Sequence, residues 1–137
     1  MDAAIATALS LTSSSTIEQR TVDITTRRAR TQQPRRIEIW FHTVDGEAYI
    51  TGTPPRARAW YANLLAHPEF TFHLKNGVQA DLAATATPIT DADERSAVLG
   101  AILDGIDALY AGRASRPAFP PLEEWVEASP LVRVSFP

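Results

Sequence analysis

Residues 34–52 read PRRIEIWFHTVDGEAYITG and carry the clearest fold signal in the chain. Ile37, Ile39 and Phe41 fall on one face of this stretch, which is the two-residue period of a β-strand. The dipeptide Asp45-Gly46 supplies the positive backbone angles that a two-residue turn needs, and a strand pattern resumes after it. The stretch therefore predicts an antiparallel hairpin.

A second hairpin follows from residues 70–86. Phe70, Phe72 and Leu74 alternate with polar residues, and Asn76-Gly77 turns the chain into another alternating stretch. Between the two hairpins, apolar residues recur at helical spacing from residue 57. This helix is expected to end at His67, because the residue before a proline is pushed out of the helical region.

Four further elements complete the prediction. They are a strand over residues 21–26, a long helix over residues 91–110, a short helix around Trp125 and a last strand over residues 131–136. Strands predominate and the alternation of strand and helix typical of parallel sheets is absent. The pattern predicts a mainly β fold with helices (α+β), built as a small barrel of about six antiparallel strands.

The first 20 residues are expected to form a short helical arm and linker, followed by the barrel domain over residues 21–137. Residues 1–11 are apolar but carry Asp2 and no basic flank, unlike a secretory signal, and they are too short to span a bilayer. The chain has no cysteine. A cytoplasmic protein without a transmembrane segment is therefore expected; a peripheral membrane contact and a monomeric or homodimeric state stay open.

Basic residues are clustered, although the formal net charge is −3. Two short segments hold seven of the 13 basic residues: Arg27, Arg28, Arg30, Arg35, Arg36, Arg56 and Arg58. Guanidinium groups bind phosphate and carboxylate oxygens, and a helix start beside them adds free N–H groups. The segments indicate an anion site or, alternatively, a solvated rim. Nucleic acid is not expected as a partner, because no aromatic residue is interleaved with these arginines.

No familiar catalytic motif is present. The sequence lacks a phosphate-binding loop, a nucleophile elbow and the paired-histidine spacing of a metalloenzyme. His42, His67 and His73 are too scattered to form a predicted ligand set, so neither a metal site nor a dedicated catalytic acid or base is expected.

A family resemblance is carried by several segments together. They are Thr25-Thr26, Arg30-Thr31, residues 34–41, Ala59-Trp60-Tyr61, Asn63-Leu64, Pro68 and residues 129–132. Over most of residues 21–136 the chain resembles the deazaflavin (F420)-dependent nitroreductases and F420H2-dependent quinone reductases of actinobacteria. The resemblance implies a split β-barrel similar to the FMN-binding pyridoxamine-phosphate oxidases.

The same resemblance implies an oxidoreductase that binds coenzyme F420 and transfers a hydride to a quinone, a nitro compound or a similar activated acceptor. Twelve residues would contact the cofactor: Arg30, Thr31, Gln32, Pro34, Arg35, Thr51, Gly52, Thr53, Arg58, Ala59, Trp60 and Asn63. Tyr110 and Trp125 would line the acceptor side. An FMN-binding relative, or a binding protein for a cofactor or apolar ligand without turnover, is the alternative.

The basic loop departs from the family pattern. The family usually has Gly-Arg-Lys-Ser-Gly there, whereas this chain has Arg28 and Gln32 at the two glycine positions. A Cβ atom therefore stands where glycine would let the backbone approach a phosphate closely.

Overall fold

Seven strands and five helices make up the described part of the chain. A computed structural model describes residues 1–52, 55–113, 115 and 117–137. The helices are α1 (Ala3–Leu9), α2 (Ile17–Arg20), α3 (Ala59–Ala66), α4 (Ala92–Tyr110) and α5 (Leu122–Ala128). The strands are β1 (Thr21–Arg27), β2 (Pro34–Trp40), β3 (His42–Val44), β4 (Glu47–Thr51), β5 (Glu69–Leu74), β6 (Ala80–Pro88) and β7 (Leu131–Ser135).

The strand order explains why the sheet curls. All pairings are antiparallel and the order is β2-β1-β5-β6-β7-β4-β3. β2 and β3 are therefore the two outermost strands, yet only Phe41 separates them along the chain. The sheet must bend round until its two edges meet at this residue, which is fully buried. The mainly β, split-barrel prediction is confirmed.

One detail of the predicted first hairpin is wrong. The strand expected over residues 37–42 is two strands, because β2 pairs with β1 whereas β3 pairs with β4. The N–H of Phe41 donates to the carbonyl of Arg20, 2.9 Å away, at the point where the chain leaves one partner strand for another. The barrel consequently has seven strands rather than about six.

The first turn and the helix ends are confirmed, whereas the second turn is a five-residue connection between Leu74 and Ala80 rather than a two-residue turn. Asp45 and Gly46 have φ values of 50° and 78°, as a two-residue turn requires, and Gly77 has a φ of 83°. α3 ends at Ala66, one residue before His67. At the start of α4 the carboxylate of Asp91 accepts the N–H of Glu94 at 2.9 Å, which caps the helix.

Two hydrophobic clusters hold the structure together. The first fills the barrel, where the rings of Phe41 and Phe72 meet edge to face at 5.3 Å. The second lies between the helices α4 and α5 and the strands they cover, and contains Trp125. α1 packs against the first cluster, and the Thr43 hydroxyl ties it down by donating to the carbonyl of Leu9 at 2.8 Å.

Candidate functional site

A cavity of about 600 Å³ lies where the barrel is split. We call it the split cavity. Its walls come from β2, the end of β4, the start of α3 and the segment after α4. The lining residues are Ile37, Glu38, Ile39, Trp40, Thr51, Gly52, Arg58, Trp60, Tyr110, Pro117, Ala118 and Phe119. Most of these side chains are apolar, which suits a flat hydrophobic ring system.

The backbone of β2 forms a polar edge along this cavity. At one end of the β1–β2 pair the N–H of Phe41 donates to the carbonyl of Arg20. At the other end the N–H of Arg28 donates to the carbonyl of Gln33 at 2.8 Å. Hydrogen-bonded pairs in an antiparallel ladder alternate, so the odd-numbered residues of β2 bond to β1. The N–H and C=O groups of Glu38 therefore point away from β1. Among the described strands none pairs with β2 on that side, where Glu38 lines the cavity.

The end of β4 is fixed by a small hydroxyl network. The Thr51 hydroxyl donates to the carbonyl of Pro130 at 2.7 Å and lies 2.7 Å from the Ser129 hydroxyl. Ser129 in turn donates to the carbonyl of Gly52 at 3.2 Å. Thr51 is only 3% exposed. Its hydroxyl therefore shapes the cavity wall and is already engaged within the protein.

Gly52 allows a close approach by an arginine. A Cβ atom at this position would lie 2.9 Å from Nε of Arg58 and 3.2 Å from the ring of Pro130. Burial, and secondarily the neighbouring charge of Arg56, lower the pKa of Arg58. A guanidinium remains charged at neutral pH even so, and Arg58 places a positive charge at the cavity.

A second, smaller hollow lies on the other side of the start of α3. It measures about 290 Å³ and is lined by Arg28, Ala29, Arg30, Thr31, Arg35, Ala59 and Asn63. We call it the basic recess. Among the described residues, no carboxylate forms an ion pair with Arg28, Arg30 or Arg35.

Asn63 holds this recess in shape. Its amide nitrogen donates to the Thr26 hydroxyl at 3.1 Å, and its amide oxygen accepts the N–H of Ala29 at 3.1 Å. Asn63 is 6% exposed, so both bonds are largely shielded from water. Gln32 closes the loop with a positive φ of 60°, a conformation that glycine adopts without strain.

Comparison with known proteins decides the family. The family model of the F420H2-dependent quinone reductases matches residues 8–118. The chain belongs to this family. The family resemblance predicted from the sequence is confirmed, and membership makes the protein an F420H2-dependent reductase. No curated protein sequence matches the chain.

Solved structures share the fold of this family member. A conserved hypothetical protein from Mycobacterium tuberculosis has a TM-score of 0.63 at 22% identity, over 99% of this chain and 81% of that one. An FAD-binding protein from Mesorhizobium loti has a TM-score of 0.62 at 12% identity, over 100% and 91% of the two chains. An F420-H2 dependent reductase has a TM-score of 0.55 at 17% identity, over 88% and 98%. At these identities the likeness establishes the fold.

Most of the predicted site residues fall into the two hollows. Those lining the basic recess are Arg30, Thr31, Arg35, Ala59 and Asn63, and those lining the split cavity are Thr51, Gly52, Arg58, Trp60 and Tyr110. Gln32 and Pro34 belong to the basic loop and the strand after it, but line neither hollow. Thr53 lies outside the described residues.

Trp125 does not reach the cavity. Its side chain is fully buried beneath α4, and its indole N–H donates to the carbonyl of Pro120 at 3.2 Å. Phe119, whose ring lies 5.8 Å from that of Trp125, occupies the cavity wall instead. The packing of the helical layer therefore makes Trp125 a support for Phe119.

The cavity residues on β2 and those in the segment after α4 were not predicted from the sequence. Ile37, Ile39 and Trp40 had a strand pattern that placed them in a hairpin, and nothing local showed that β2 would be the outermost of the described strands. Apolar residues on both faces of β2 were the available signal. A strand with hydrophobic side chains on each face needs a second covering surface.

The described ranges contain neither a metal-binding cluster nor a membrane-spanning helix. There, no three His, Cys, Asp or Glu side chains lie close enough together to hold a metal ion. No helix in the same part of the chain is long and apolar enough to cross a bilayer.

Proposed function

We propose that the chain binds F420 with its ring in the split cavity and its acidic tail in the basic recess, and reduces a quinone, a nitro compound or a similar small acceptor. The observation that carries this proposal is the junction of the two hollows. Arg58 and Trp60 line the cavity, whereas Ala59 and Asn63 line the recess, so the first turn of α3 borders both. One ligand with a flat apolar end and an anionic end fits this junction.

The cavity has the properties that a deazaflavin ring requires. A volume of about 600 Å³ lies within the usual range for a small-molecule site. Ile37, Ile39 and Phe119 offer apolar surface to the ring faces. The backbone groups of Glu38, which point away from β1, can pair with the carbonyl and N–H groups on the rim of the ring.

The recess has the properties that a phosphate and carboxylate tail requires. Arg28, Arg30 and Arg35 have no described carboxylate partner, so their charge is available to an anion. The N–H groups at the start of α3 lie beside them, and no side chain among the described residues caps this helix. Helix starts with free N–H groups favour phosphate.

In this reaction the main role of the protein is to bind and orient the cofactor and the acceptor. Reduced F420, when bound, supplies a hydride from its C5 position to the acceptor. The apolar walls keep water from the ring, and Arg58 provides a positive charge at the cavity that can stabilise negative charge developing on an accepting oxygen. The hydroxyl of Thr51 is already bonded within the protein, so among the described lining residues the hydroxyl of Tyr110 is the one able to meet the acceptor.

Two measurements test this function. Titration with F420 and with FMN, followed by fluorescence, is expected to give tighter binding of F420, because FMN has one phosphate and no glutamate tail. Reduced F420 mixed with protein and menadione is then expected to lose its reduced-state absorbance only when all three are present. Tighter binding of FMN would favour the FMN-binding alternative, and F420 binding without acceptor-dependent oxidation would favour a binding protein without turnover.

A further inference from the structure

A hydroxyl, an imidazole and a carboxylate lie in line on the outer face of the sheet. Oγ1 of Thr25 on β1 lies 2.7 Å from Nε2 of His73 on β5. Nδ1 of the same ring lies 2.7 Å from Oδ1 of Asp81 on β6. The three strands are adjacent, and His73 and Asp81 are direct partners in the β5–β6 register.

We call Thr25, His73 and Asp81 the relay, and their hydrogen bonds assign a direction of proton transfer to it. The hydrogen bond with His73 lowers the pKa of Asp81, so its carboxylate is ionised at neutral pH and can only accept. In the neutral form of the imidazole, the ring proton then lies on Nδ1, which leaves Nε2 as the acceptor for the Thr25 hydroxyl proton. A hydroxyl held by a base, with that base oriented by a third group, is the arrangement that activates a nucleophile.

The surroundings of Thr25 differ from those of its neighbour. Thr26 points into the barrel, where it is 1% exposed and bonded to Asn63. Thr25 is half-buried on the opposite face, and its partner in the β1–β2 register is Arg36. The side chain of Arg36 is 54% exposed and lies 3.0 Å from Asp23. Arg36 is therefore the neighbour of Thr25 on the adjacent strand, with its guanidinium held by Asp23.

We propose that Thr25 is a nucleophilic hydroxyl that accepts acyl groups from small activated esters, with His73 as general base and Asp81 as the residue that orients it. Oγ1 of Thr25 forms a bond to the ester carbonyl carbon, and its proton passes to Nε2 of His73. The bond to the leaving alcohol breaks, the alcohol takes that proton, and an acyl-threonine ester remains. Water can then release the acid through the same base.

The relay is separate from the split cavity. Thr25, His73 and Asp81 line neither the cavity nor the basic recess. His73 is buried and Thr25 is half-buried, so access to the hydroxyl is narrow and the ester must be small. F420 takes no part in the step, and this inference can therefore fail or succeed independently of the proposed reductase function.

The test uses p-nitrophenyl acetate and the full chain without F420. Release of p-nitrophenol is followed by absorbance, and the acetylated protein is digested with trypsin. Cleavage after Arg20 and Arg27 gives a peptide of residues 21–27, in which fragment ions separate Thr25 from Thr21 and Thr26. We expect an acetyl group on Thr25, and a loss of about tenfold or more in its rate of formation in His73→Gln and in Asp81→Asn.

Two control variants keep the test clear. Thr71→Val changes the hydroxyl that faces Thr25 in the β1–β5 register and is expected to leave the acetylation rate unchanged. Asp81 is 76% exposed, so Asp81→Asn is expected to fold normally even if His73→Gln does not. An unmodified residue 25 in the wild type would overturn the proposal, as would equal acetylation of Thr25 in the wild type and Asp81→Asn.

Discussion

Arg35 and Arg36 are neighbours on β2 and have opposite surroundings. Arg36 faces outward and lies 3.0 Å from Asp23, which also lies 2.8 Å from Lys75. Lys75 makes a further ion pair with Glu38. Arg35 faces the basic recess, where no described carboxylate pairs with it.

The difference separates charges that stabilise the sheet from charges that are available to a ligand. An exposed ion pair contributes at most about 1 kcal/mol to folding. A charged hydrogen bond to a bound anion contributes about 1.5–3 kcal/mol, and an arginine without an internal partner can make it fully. The outer face is therefore expected to affect stability modestly, and the recess to affect affinity strongly.

The sharpest test compares the two sets of arginines. Replacing Arg28, Arg30 and Arg35 together by Ala is expected to weaken F420 binding roughly a hundredfold or more, because three charged contacts are lost. The midpoint of thermal unfolding should change little. Arg36→Ala serves as the matched control and is expected to keep the wild-type dissociation constant. Equal losses of affinity in both variants at low salt would show that only the overall charge matters.

A smaller effect is expected at the residue that shapes the recess. Asn63→Ala leaves the buried hydroxyl of Thr26 and the N–H of Ala29 without their partner, which costs about 1–3 kcal/mol of stability. Urea unfolding measures this loss, and F420 affinity should fall with it because the loop is no longer held. Asn63→Asp restores the acceptor for Ala29 and should recover part of the loop order. Unchanged stability in Asn63→Ala would contradict this role.

The outer face is expected to respond to pH. Hydrogen bonds from Lys75, together with those from Arg36, lower the pKa of Asp23 from its ordinary value of 3.8. A carboxyl group whose pKa is lower in the folded state stabilises the protein at any pH above its pKa in the unfolded state. This contribution disappears as the pH falls through the pKa in the folded state. Asp23→Asn should therefore be less stable than the wild type by about 1 kcal/mol at neutral pH. Urea unfolding measures this difference in the free energy of unfolding, which should disappear in strong acid. A difference that does not depend on pH would exclude the ion pairs as its cause.

The smallest expected effect is a gain. Gln32→Gly relieves the strain of a positive φ and should stabilise the chain by about 0.5–1 kcal/mol, although the added freedom of the unfolded chain opposes this. Differential scanning calorimetry measures the shift. Gln33→Gly on the same loop carries no positive φ and is expected to destabilise instead. A loss of stability in Gln32→Gly would mean that loop entropy outweighs the strain.

Much of the fold follows from local sequence. Asp45-Gly46 and Asn76-Gly77 set the two hairpin turns, and Pro68 ends α3, because each depends on the conformational limits of one or two residues. The arginine cluster likewise pointed to an anion site by residue type alone. The break at Phe41 could not be predicted, since each half of that stretch is strand-like and only the pairing partners differ.

Most strands, the first turn, the family resemblance and the arginine-rich loop could be predicted from local sequence, because periodicity, backbone limits and residue chemistry act over short distances. Tertiary packing buried Trp125 behind Phe119 and left β2 with β1 as its partner strand in the described part of the chain. It gave Arg36 a carboxylate partner, whereas none of the described carboxylates pairs with Arg35. It also brought Thr25 within 2.7 Å of His73, 48 residues away. These features depend on which strands become neighbours and in what register, and long-range packing of the whole barrel sets both.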